Sequence, residues 1–143
     1  MVNELAALRI AALEPFEIEA AVKIWGEAGL LRPWNDPRQD IRLALESPGS
    51  TVLAGRLDNI LAATAMVGFD GHRGWVYYVA VDPRFERRGF GAAMMGAAEA
   101  WLKARGAPKL ELLVRAENPM VVGFYEALGY KKSDVIVMQR VLE

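Results

Sequence analysis

Along the chain the spacing of apolar and polar positions changes repeatedly, and each change marks an element. Leu8 to Leu13 reads as a first strand. From Pro15 to Gly29 apolar residues return at spacings near three and four, which puts Ile18, Val22 and Trp25 on one face of a helix. Asp36-Pro37-Arg38-Gln39 starts a second helix: the carboxylate can cap, proline suits the first helical position, and Gln39 is placed to complete a capping box. That helix runs to about Glu46 and stops at Ser47-Pro48-Gly49. Thr51 to Arg56 and Ile60 to Val67 form a hairpin closed at Asp58-Asn59. A second turn, Gly68 to Gly74, leads into the aromatic and β-branched run Trp75 to Val81. A helix from Gly89 to Arg105 ends at Gly106, with Met94, Met95 and Trp101 as packing residues. Leu110 to Val114 is a buried strand, Asn118-Pro119 opens a last helix ended by Gly129, and Val135 to Leu142 gives a final strand.

Strands and helices interleave, but the middle of the chain is a meander of hairpins. The expected fold is therefore α/β of the α+β kind, a mostly antiparallel mixed sheet of about six to seven strands flanked by four helices. No repeat, low-complexity tract or linker divides residues 1–143, so a single domain is expected.

Composition narrows the chemistry. With 53% hydrophobic and 24% charged residues and a net charge of -1, nothing calls for nucleic acid, which needs a basic face. The absence of cysteine removes disulfides, thiolate nucleophiles and thiolate metal sites, and a single histidine removes a multi-histidine centre, so no metal is expected. Without a signal-like N-terminus or a membrane-spanning apolar run, a cytoplasmic location with no membrane partner is expected.

The chemistry-bearing stretch is Arg87-Arg88-Gly89-Phe90-Gly91-Ala92, between a strand and a helix. Glycines there let backbone approach a ligand, and the free N–H groups of the first helical turn make an anion site. A phosphate-bearing cofactor is the obvious anion. The loop lacks the βαβ setting of a dinucleotide fingerprint and the Gly-Lys-Ser/Thr ending of a nucleoside-triphosphate loop.

These residues resemble the GNAT superfamily of acyl-CoA-dependent N-acetyltransferases over nearly the whole chain. The family motif Gln/Arg-x-x-Gly-x-Gly/Ala is matched by Glu86, Gly89 and Gly91. Its downstream signature is matched by Asn118 and then Phe124-Tyr125-Glu126-Ala127-Leu128-Gly129-Tyr130. The segments Leu31 to Pro37, Asp70 to Gly74 and Arg105 to Lys109 are similar to the YpeA-type bacterial acetyltransferases. One position departs: Glu86 replaces Gln or Arg, and a carboxylate aimed at a pyrophosphate is repelled. Arg84, Arg87 and Arg88 surround it, so Glu86 is expected to be paired and turned away.

The resemblance implies acetyl-CoA as acyl donor, held where the strands splay. Its contacts would come from the main chain of Val79, Ala80 and Val81, from Arg87, Arg88, Gly89, Phe90, Gly91 and Ala92, and from Asn118, Phe124 and Tyr125. Asn118 would also cap its helix. Tyr125 would be the general acid that protonates the CoA thiolate, since a phenol of pKa near ~10 stays protonated at neutral pH; its alternative is a core aromatic beside Phe124 and Leu128. No base is assigned. Leu113 stands where ribosomal-protein N-terminal acetyltransferases carry a glutamate, and Glu111, Asp70, His72, Asp36 or a water relay are alternatives. The acceptor would bind between the loop Leu31 to Asp36 and the turn at Asp70, against Trp34, with Arg32 and Arg73 for a carboxylate, Asp36 or Asp70 for an ammonium, and His72 nearby. Against this stands a reading in which Trp34 seals the core edge and the charges are solvated. The expected function is acetyl transfer to a primary amine of a small molecule or of a peptide or protein. The alternatives are an acyl-CoA-binding sensor that has lost turnover and a structural domain with an empty site. Val135, Ile136 and Val137 could pair a homodimer or stay within the sheet.

Overall fold

Two consecutive hairpins set the middle of the sheet. The computed structural model describes residues 7–142, which fall into two compact units, one ending at Leu113 and one beginning at Val114. In the first unit β1 (Arg9–Ala12), β2 (Ser50–Leu57), β3 (Ile60–Phe69) and β4 (Gly74–Val81) pair antiparallel in chain order. The fifth strand, β5 (Leu110–Leu112), lies parallel to β4. A parallel neighbour needs a long crossover, and α3 (Phe90–Ala104) supplies it. The helices α1 (Ile18–Glu27) and α2 (Pro37–Glu46) fill the stretch between β1 and β2. The second unit contains α4 (Pro119–Ala127).

The mixed, mostly antiparallel sheet and the four helices match the expected class, with five strands among the described residues. The run Val135 to Leu142 is not a strand: it pairs with nothing among the described residues. Its apolar residues follow one another instead of alternating, and Val135, Ile136, Val137 and Met138 are all exposed. Composition alone supplies strand propensity, but a strand also needs a ladder partner.

Alternation sorts the sheet into two packed faces. Trp25, Ile41 and Ala44 of α1 and α2 pack on Val52, Ala54 and Ala80. The helical stripe read from the sequence is therefore the core stripe, with Ile18, Val22 and Trp25 all buried. On the opposite face small residues let α3 come close. A Cβ on Gly74 would lie 2.6 Å from Leu102 Cδ1, and one on Gly55 would lie 2.8 Å from Met94 Sδ. Met94, Met95, Ala98 and Leu102 are buried there. Trp101 is only half-buried and carries the Arg105 guanidinium over its ring at 3.5 Å, so it lies at the rim rather than in the core.

One buried ion pair fastens the entrance to α1. Glu17, in the short 3-10 turn Pro15–Glu17, receives two N–H bonds from Arg56, one from Nε at 2.8 Å and one from Nη2. Arg56 Nη2 also donates to the Ala12 carbonyl at 3.0 Å, and the Glu14 N–H donates to Glu17 Oε1 at 2.9 Å. Burial alone would raise the Glu17 pKa, but the hydrogen bonds from Arg56 and from the Glu14 backbone win and hold it below 4.5. A depressed carboxylate contributes stability that is full above its unfolded pKa and lost as pH falls through its folded value. Glu17→Ala should cost about 2–3 kcal/mol at pH 7, below the full cost of breaking a buried pair because Arg56 keeps some solvent access. The deficit should shrink below pH 4.5, which urea unfolding at pH 7 and pH 3 would show.

Candidate active site

Asp82-Pro83-Arg84 repeats the tripeptide Asp36-Pro37-Arg38, and both work the same way. Each aspartate Oδ1 accepts the backbone N–H of the arginine, at 2.9 Å in the first case and 3.1 Å in the second. Asp36 also accepts from the Gln39 N–H at 3.2 Å, so its carboxylate is committed to starting α2. Asp82 is buried and further bound by the Arg84 guanidinium at 2.8 Å, which holds its pKa down. It fixes the direction in which the chain leaves β4.

The loop then turns through two left-handed residues, Arg87 at φ 63 and Gly89 at φ 77. Arg87 pays a conformational cost there that glycine does not. The Ala93 N–H is the first to bond into the helix, to the Gly89 carbonyl at 3.0 Å. The N–H groups of Phe90, Gly91 and Ala92 therefore face out of the helix start, where its dipole favours an anion. A Cβ built on Gly89 meets nothing within 4 Å, so the space beside these groups is open. Arg87 and Arg88 are exposed, and Arg88 lies 5.4 Å over the Phe85 ring.

Glu86 does not behave as expected. It is exposed and makes no ion pair among the described residues. Of the three arginines expected around it, Arg84 is taken by the buried Asp82, which offers a drier carboxylate.

Leading into the loop, β4 is irregular. Met66 pairs with Tyr77 and Thr64 with Ala80, so Tyr78 and Val79 together oppose Ala65. This is a β-bulge. Tyr78 sits at φ 53, an outlier for a bulky residue. The ladder to β5 covers only Gly74, Trp75 and Val76. Among the described residues no strand pairs with that edge of β4 from Tyr77 to Val81, and the two strands have parted company there.

The residues expected around an acceptor are mostly committed to their own loops. Arg32 Nη1 donates to the carbonyls of Gly29 and Leu31, both at 2.9 Å. Asp70 Oδ1 accepts the N–H groups of Arg73 and His72 at 2.7 and 2.8 Å, and these bonds lower its pKa. Its Oδ2 accepts from Trp75 Nε1 at 3.3 Å. Arg73 lies 3.7 Å from Glu111 and donates to the His72 carbonyl at 3.0 Å. His72 itself is exposed, and Trp34 is 70% exposed, so it does not seal the core edge. Trp75 and Tyr77 were not singled out from the sequence, yet their rings stack at 6.5 Å beside Asp70. Their i, i+2 spacing on a strand was the available signal.

In the second unit Asn118 stands at the N-cap of α4, but its side chain makes no capping bond, which corrects the sequence expectation. Tyr125 is on α4, held edge-on between Phe124 at 5.0 Å and Tyr130 at 5.8 Å. Burial raises its phenol pKa above 10.

Comparison with known proteins bears on the family and the fold. A family profile described as the Acetyltransferase (GNAT) family matches residues 13–130. Acetyltransferase YE1169 of Yersinia enterocolitica is 38% identical over 131 residues, covering 92% of this chain and 93% of that protein. The fold is shared with aminoglycoside N-acetyltransferase AAC(6')-Iy, solved with CoA: TM-score 0.80, 16% identity, 99% of each chain covered. It is shared as well with the ribosomal-protein-S18-alanine N-acetyltransferase of Escherichia coli: TM-score 0.74, 26% identity, 88% of this chain and 79% of that one covered. The chain belongs to the GNAT family of acetyltransferases.

Proposed function

We propose that this acetyltransferase moves the acetyl group of acetyl-CoA to a primary amine, on a small molecule or on a peptide or protein. The observation that supports this reading best is the start of α3. Three outward N–H groups, a left-handed Gly89 with open space beside it, and exposed Arg87 and Arg88 suit a pyrophosphate. The parted edge of β4 suits an extended amide-bearing arm, because its main-chain groups lack a strand partner among the described residues.

In this reading Val79, Ala80 and Val81 bind the pantetheine arm and thioester through their main chain. A backbone N–H among them polarises the carbonyl. The neutral amine attacks the thioester carbon, the carbon–sulfur bond breaks, Tyr125 gives its proton to the departing thiolate, and the proton lost by the nitrogen passes to solvent, from which the phenol is restored. Tyr125, Asn118 and Phe124 take their roles from the family resemblance, and residues 1–143 are read as one acetyltransferase domain. The acceptor side is read as the loop with Arg32, Trp34 and Asp36 together with the turn at Asp70 and His72. No group of residues among those described could hold a metal ion, and no described helix is long and apolar enough to cross a membrane. The cysteine-free composition suits a cytoplasmic setting.

Release of free thiol from acetyl-CoA, followed across a panel of small primary amines and N-terminal peptides, tests the transfer. Amine-dependent release supports the reading. Leu113 in place of a strand glutamate, together with a Glu86 that makes no ion pair among the described residues, favours a second one, an acyl-CoA sensor without turnover, for which acetyl-CoA binds but no amine in the panel releases thiol.

A further inference from the structure

Tyr78 is the most strained side-chain-bearing position in the sheet, and a set of contacts from three elements keeps it there. Its ring stacks flat on Trp25 of α1, with centroids 3.7 Å apart and planes 4° from parallel. The Trp25 indole N–H donates to Thr64 Oγ1 at 2.8 Å, and the Thr64 hydroxyl donates to the Tyr78 carbonyl at 2.9 Å. The Tyr78 hydroxyl donates to Asp40 Oδ2 at 2.7 Å. Trp25 and Thr64 are fully buried, and Asp40 and Tyr78 are half-buried. Asp40 lies in the first turn of α2, where its N–H bonds the carbonyl of the cap residue Asp36 at 2.9 Å.

The left-handed conformation of a tyrosine is strained and persists only where surrounding contacts over-determine it. Here those contacts tie the bulge of β4 to the start of α2. The residue held this way immediately precedes Val79, Ala80 and Val81. Moving Tyr78 back to extended backbone would slide the bulge and re-aim every main-chain group after it.

We propose that Asp40 and Tyr78 are positioning residues: their hydrogen bond locks the β4 bulge so that the main chain of Val79 to Val81 is aimed at the thioester carbonyl. This rests on the acetyltransferase reading above. Neither residue touches the acyl group in this account. Together they connect the first turn of α2 to the strand that carries the donor, so the geometry of the first sets the reactivity of the second.

The test uses acetyl-CoA labelled with carbon-13 at the carbonyl, bound to the full chain and read by difference infrared spectroscopy. In the unmodified protein the bound carbonyl stretch should lie at lower frequency than in free acetyl-CoA, because a main-chain N–H polarises it. Tyr78→Phe keeps the ring stack and removes the hydroxyl; it should lose more than half of that shift while the Kd for 3′-phospho-ADP, which has the phosphates of CoA but no pantetheine arm, changes less than about twofold. Asp40→Ala should do the same. Asp40→Asn should restore most of the shift, because an amide oxygen still accepts the tyrosine proton. A residue that only supported the fold would lower affinity for that nucleotide and the carbonyl shift together. If Asp40→Ala fails to fold, Tyr78→Phe decides alone. Variants that keep the full shift, or an unmodified protein that binds acetyl-CoA with no shift, overturn the inference and leave the donor reading standing. Failure of the unmodified protein to bind acetyl-CoA removes the donor reading, and the inference with it.

Discussion

Tyr125→Phe is expected to lower kcat for acetyl transfer by roughly 100-fold, the lower end of what a positioned proton donor contributes. The change removes only the hydroxyl. The edge-on contacts of the ring with Phe124 and Tyr130 are kept, so the Kd for acetyl-CoA should stay within about twofold. Its burial raises the phenol pKa above 10, which keeps the proton available through the neutral range. The alkaline fall in activity due to this group should therefore come above pH 10, and it should vanish in the phenylalanine variant. Equal loss of kcat and of acetyl-CoA affinity would instead mark Tyr125 as packing. A sensor without turnover would show no functional change at all.

Trp25→Ala should destabilise the protein by about 3–5 kcal/mol, the usual cost of emptying a fully buried aromatic site. That is a large share of the ~5–15 kcal/mol a domain of this kind possesses. The indole is fully buried and makes three kinds of contact at once: it packs among Ile18, Val22 and Ile41, stacks on Tyr78, and hydrogen-bonds Thr64. Trp25→Phe should cost far less, about 1–2 kcal/mol, since it keeps most of the packing and leaves Thr64 bonded to the Tyr78 carbonyl. Chemical denaturation of the three proteins would measure the series. If alanine and phenylalanine cost the same, the hydrogen bond rather than the packing carries the site.

The two expectations draw on different levels of legibility. Local chemistry was readable in the sequence. Asp36-Pro37 marked the start of α2, the spacing of Ile18, Val22 and Trp25 marked the buried stripe, and Gly89 and Gly106 stood where positive φ was needed. The adjacency of β2, β3 and β4 also followed, because short turns force neighbours in the chain to be neighbours in the sheet.

What escaped the sequence was set by distant partners. A tyrosine at positive φ has no local signature; Tyr78 is held there by Trp25, Thr64 and Asp40, far away in the chain. The pairing of Arg84 with Asp82 rather than Glu86 was decided by burial, which residue order does not display. Asp70 looked available for an ammonium because its charge was visible and its bonds to the His72 and Arg73 backbone were not. The run Val135 to Leu142 had strand composition but no partner among the described residues.

The claim that joins these parts is that the loop from Arg87 to Ala92 binds the phosphates of the acyl donor. Isothermal titration with acetyl-CoA, run beside Gly89→Val, tests it most directly. A β-branched residue at φ 77 is strained and would weaken the loop by about 1–3 kcal/mol. The account predicts micromolar binding for the unmodified protein and an affinity at least roughly fivefold lower for the variant. No binding by the unmodified protein, or equal binding by both, would contradict it.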